Sequence, residues 1–115
     1  MKLLCQEFIY EENTPSCHAS TLVQMGDTTV AAWFGGTYES HDDVQIWVSR
    51  RENGIWSEPV CVSTAEDIPH WNPVLFDNGN ELLLGDILGT DEDMILRPLE
   101  DDVDLCVLRQ AVKEL

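Results

Sequence analysis

A chain of 115 residues that is 43% hydrophobic is long enough for one domain and apolar enough to bury a core. Its 22 acidic residues against 6 basic ones give a formal net charge of −16. That charge argues against nucleic acid or an anionic membrane surface as a general partner, since both repel acidic proteins, and it reads instead as a device for solubility.

Residues 3–10 are apolar around Glu7 and predict a strand. Residues 11–16 (EENTPS) are a loop by composition. A meander follows. Residues 18–24 and 29–34 are two apolar, β-branched runs separated by a turn at Met25-Gly26-Asp27, and Gly35-Gly36 breaks the second. A polar loop spans 37–43. Residues 44–49 alternate, with Val44, Ile46 and Val48 on one face and Gln45, Trp47 and Ser49 on the other. Asn53-Gly54 then turns the chain into Ile55-Trp56. Residues 59–63 predict a short strand, 64–72 a loop, and 73–77 with 81–84 a second hairpin about Asn78-Gly79-Asn80.

After Gly85 the character changes. Residues 86–104 hold eight acidic side chains and one basic one, Arg97, which reads as a solvated acidic face. Leu105, Leu108, Val112 and Leu115 then fall on one helical stripe, which predicts an amphipathic helix over 103–115. The expected division is therefore a β-region over 1–85 and an acidic tail over 86–115.

The four cysteines, Cys5, Cys17, Cys61 and Cys106, include no C-x-x-C pair. The apolar run at Leu3-Leu4 stops at Gln6-Glu7, too soon for a signal-peptide core, and no run reaches the length of a membrane span. Reduced thiols in the cytoplasm are the simpler expectation. The histidines and cysteines lack paired ligand spacing, and the acidic tail lacks the EF-hand pattern, so neither a metal nor any other cofactor is expected.

Ser49 and Trp56 flank the Asn53-Gly54 turn at the spacing of the Asp-box, S-x-D-x-G-x-T-W, with Arg51, Asn53 and Ile55 where Asp, Gly and Thr are expected. Taken with SCHASTLVQ, AAWFGGTYESHDDVQIWVSRRENGIWSEPV and PHWNPVLF, the chain resembles the opening of a sialidase-like BNR-repeat protein of the exo-α-sialidase type, over roughly residues 8–84. The resemblance implies a mostly β fold built of four-stranded antiparallel propeller blades, of which this length supplies about one to two, followed here by the short C-terminal helix. Such a piece leaves sheet edges open, so self-association through them is an expected property.

The resemblance also implies chemistry on glycans bearing an acidic sugar. Sialidases hold the substrate carboxylate with three arginines and use a Tyr–Glu nucleophile pair with an Asp as acid/base. His18 stands where the first arginine is expected. The later arginines and the Tyr–Glu pair have no counterpart, and neither Arg97 nor Arg109 is promoted to those roles. Asp43, or Asp42 beside it, is the candidate acid/base, because the family's Asp comes from a comparable loop. A turn-capping Asp is the competing reading. His18, His41, His70, Trp71 and Asn72 are the candidate sugar-binding residues, since aromatic and amide groups suit the apolar faces and hydroxyl edges of sugars. Trp33, Trp47 and Trp56 read as packing residues.

Three functions compete. The first is a sialidase-like hydrolase fragment that is inactive as an isolated chain, or a propeller that cleaves uronate glycans by elimination. The second is a truncated β-domain without catalysis that binds sugar or itself. The third is a small free-standing β-domain whose terminal helix covers the open sheet.

Overall fold

The structure, a computed structural model, describes residues 2–63, 67–89 and 94–99. These form two antiparallel sheets, and no helix occurs among them. The first sheet contains β1 (Ser16–Met25), β2 (Thr28–Gly36), β3 (Gln45–Glu52), β4 (Ile55–Trp56) and β5 (Val60–Cys61). The second contains β6 (His70–Asp77), β7 (Leu82–Leu88) and β8 (Ile95–Pro98).

The first sheet is a meander in the order β1-β2-β3-β4, with β5 on the same edge of β3. Arg51 pairs with Trp56, and further along Val48 pairs with Val60. The fourth strand position is thus shared by β4 and β5, broken where Pro59 has no N–H to offer the ladder. The ladder continues past β5: the Val62 N–H donates to the Ile46 carbonyl at 2.9 Å, and the Ile46 N–H donates to the buried Ser63 Oγ at 2.5 Å.

One core joins the two sheets. Val30, Ala32 and Phe34 of β2 line up with Val44, Ile46 and Val48 across from Leu75, Leu82 and Leu84 of the second sheet, closed by Val62 and Leu99. The alternation in residues 44–48 is the cause, since every second side chain of a strand points to the same face. β6 packs on β1 and β2. Arg97 of β8 reaches across to donate to the Val62 carbonyl.

The structure differs from the sequence expectations at five places. Residues 3–10 form no strand. Leu3, Leu4 and Phe8 are exposed, and the segment is held through its side chains, by Glu7 on Arg51 and Trp56, rather than by a ladder. Gly35-Gly36 does not break β2. The strand runs through both glycines because a Cβ on Gly36 would lie 2.9 Å from the Val44 Cα, and one on Gly35 would lie 2.5 Å from the Thr14 Oγ1. The predicted strand at 59–63 shrinks to β5. His70, Trp71 and Asn72, expected in a loop, begin β6. The regular pairing also does not stop at Gly85. β7 continues to Leu88 and β8 pairs with it, so Asp86 lies within a strand and is buried instead of solvated. The helix expected over 103–115 lies outside the described residues.

Candidate functional site

The strand directions gather the candidate residues at one end of the two sheets. β1 starts there, β2 ends there, and β3 and β6 start there. His18 pairs with Phe34, and Phe34 with Ile46. The His70 N–H donates to the Val44 carbonyl at 3.2 Å, which sets the start of β6 beside the residue that follows Asp43. His18, Phe34 and Trp71 form an aromatic row. The His18 and Phe34 ring centroids are 5.6 Å apart, and Phe34 meets Trp71 edge-on at 6.1 Å. Trp71 is fixed by its Nε1–H, which donates to the Gly89 carbonyl at 2.8 Å.

Two irregularities shape this end. The register slips between His18 and Thr21 with Ala19 at φ 55°, and between Trp71 and Val74 with Asn72 at φ 29°. Each is a bulge, which twists its strand and re-aims the side chains beside it. A non-glycine residue such as Ala19 in the left-handed region is strained, and such strain persists where neighbouring structure imposes it.

The 37–43 loop closes on Asp43. Its carboxylate accepts from the Thr37 backbone N–H at 3.0 Å and also from the Thr37 hydroxyl. The missing side chain of Gly36 makes room for it. His41 Nδ1 lies 3.0 Å from the Asp43 N–H and 2.9 Å from Oδ1. A neutral ring accepts the first contact, and a protonated ring pairs with the second. Tyr38 packs edge-on against His41 at 4.8 Å. The Thr37 hydroxyl and then its N–H hold the Asp43 carboxyl below its usual range, against the opposing effect of desolvation, with His41 adding a lesser pull. That direction favours a carboxylate that stays ionised. Asp42 within this loop and Asn72 on β6 are both exposed.

His70 has a different environment. Its Nδ1 is 2.6 Å from Asp86 Oδ2, and both side chains are almost wholly buried, at 0% and 2% exposure. The pair links β6 to β7 under the aromatic row. Sequence reasoning missed Asp86 as its partner by counting it with the acidic tail. The signal was present, since Leu82, Leu84 and Asp86 alternate onto the core face. Thr37, the residue that governs Asp43, carried no such signal.

The Asp-box-like turn lies at the opposite end. Ser49 Oγ donates to the Ser57 carbonyl at 2.6 Å, and the Arg50 N–H donates to Ser57 Oγ at 3.0 Å. Asn53 and Gly54, at φ 53° and 79°, form the tip. Arg51 replaces the motif's Asp, yet a carboxylate is still present. Glu7 Oε1 accepts from Arg51 Nε at 2.7 Å and from Trp56 Nε1 at 3.0 Å, and Arg51 leads in holding the Glu7 carboxyl below its usual range.

A model of the BNR repeat-like domain matches residues 27–91, more than half of the chain. The chain belongs to this sialidase-like BNR-repeat family. The matched segment of the BNR chain begins at the β1–β2 turn and runs past β7, so it includes the Asp43 loop, the Asp-box-like turn and the His70–Asp86 pair. No solved structure matches the chain. Among the described residues no group of three or more His, Cys, Asp or Glu could hold a metal ion, and no helix is long and apolar enough to cross a membrane.

Proposed function

We propose that this chain is a glycan-binding module of the sialidase-like type that does not itself hydrolyse its ligand, its two sheets being successive propeller blades. The observation that carries this reading is the state of Asp43. A general acid must hold a proton to give to the leaving oxygen. Thr37 instead occupies both Asp43 carboxylate oxygens with hydrogen bonds and lowers its pKa, the direction opposite to the one a general acid needs. The exposed His18 and half-buried Trp71, backed by the buried Phe34, offer an aromatic, hydrogen-bonding surface suited to a sugar. It does not offer the bidentate fork that an arginine would give an acid sugar. Arg50 and Arg51 lie at the far end of the sheet, beside the Asn53-Gly54 tip.

The cytoplasm is the proposed compartment, supported by the free thiols of Cys5 and Cys17. Association between copies through the open sheet edges is proposed on the same footing. A titration of sialylated lactose into the purified chain, followed on the tryptophan indole resonances, tests the glycan reading. Shifts of the Trp71 indole support it, and an unchanged spectrum overturns it.

A further inference from the structure

The face of the first sheet turned away from the core is not bare. Ala31, Trp33 and Ser49 lie on it and are buried. The cover is the N-terminal segment, which crosses the sheet as a strap. Glu7 anchors one end of it on Arg51 and Trp56, and Thr14 anchors the other against Gly35. The strap does not pack flush. Between it and the sheet lies a cleft of about 460 Å³, with Phe8, Tyr10, Trp33, His18 and Glu11 in its walls. The bulge at Ala19 forms part of its rim.

We propose that this cleft is a sugar site, distinct from the Asp43 loop, that takes a neutral or amino sugar in preference to an acid sugar. The volume is within the range of small-ligand sites, about 300–1,000 Å³. The three aromatic side chains suit the apolar faces of a pyranose, and Glu11 suits its hydroxyl edges. The charge decides between sugar classes. Among the described residues no lysine or arginine lines the cleft. Arg51, the cation nearest in the strap's own contacts, has its Nε committed to Glu7. Glu11 and the net charge of −16 repel a ligand carboxylate. The choice of a sugar rests on the glycan-binding reading above, whereas the charge preference rests on the cleft's lining and the chain's net charge.

The test is ligand binding to the full chain by saturation-transfer NMR, with N-acetylglucosamine, glucosamine and glucuronate as probes. The expected order places both uncharged and amine sugars above glucuronate by at least about tenfold in Kd. Tyr10→Ala, on the strap and outside the core, should weaken binding by about threefold to tenfold, the worth of one aromatic contact. Glu11→Gln should narrow the gap to glucuronate. Glucuronate binding as tightly as the others overturns the proposal. So does sugar binding that Tyr10→Ala and Phe8→Ala leave unchanged, a result that would leave the glycan reading standing at another site. Failure of all three sugars to bind overturns the cleft proposal, while the sialylated lactose titration decides the glycan reading separately.

Discussion

At the scale of single residues, two carboxylates in this chain have opposite settings. Asp43 is exposed and its pKa is lowered by Thr37. A carboxyl whose folded pKa is depressed contributes stability that is fully present above its ordinary value of 3.8 and is lost as pH falls through the lowered one. Thr37→Val should raise the Asp43 pKa measured by NMR titration. It should also shrink the stability difference from the unmodified chain as the medium is acidified below about pH 4. An unchanged Asp43 titration in the variant would show that Thr37 does not govern it. Asp86 is buried against His70. Removing one partner of a buried pair leaves the other's contact unmade in the core, so Asp86→Ala should lower unfolding free energy by about 3 kcal/mol in urea denaturation. A loss under about 1 kcal/mol would mean that the pair is not a structural pin. Asp43 was legible in the sequence as a loop acid, but its state was not. That state depends on a threonine six residues away, next to a glycine whose missing side chain leaves room for the carboxylate, and on loop closure that no local pattern encodes.

At the scale of elements, hairpins were the readable part. Asn53-Gly54 and Asn78-Gly79-Asn80 are turn signals fixed by local backbone preference, and both turns are where the composition placed them. The alternating face of residues 44–48 was equally plain, because period-two patterning is a local property that burial enforces. The failures share one cause, which is long-range pairing. Residues 3–10 have the composition of a strand and form none, and His70-Trp71-Asn72 have the composition of a loop and begin one. Whether a segment joins a ladder depends on which edge is offered to it. Gly35-Gly36 looked like a breaker and is instead a place of close approach. The Asp-box-like turn allows a direct check of element stability. Ser49→Ala removes the donor to the buried end of the hairpin and leaves the Ser57 carbonyl short of a partner. A loss of about 1–3 kcal/mol is expected from thermal or urea unfolding. No loss would mean that the Ser49 hydroxyl contributes nothing to the motif.

At the scale of the whole molecule, the two sheets share a single core, and the N-terminal strap covers the far side of the first sheet. Both sheets carry a bulge at the end where the candidate residues gather. This arrangement places His18 and Trp71 at one end while lowering the Asp43 pKa and keeping His70 buried against Asp86. Binding without cleavage is the function proposed for that division. The most direct test is a one-dimensional NMR time course of the intact chain with sialylated lactose, reading saturation transfer and product in the same tube. Transfer from protein to glycan is expected, with no resonances of free sialic acid after prolonged incubation. Free sialic acid accumulating in proportion to the chain would contradict it, because Asp43 would then have served as the acid that its hydrogen bonds argue against.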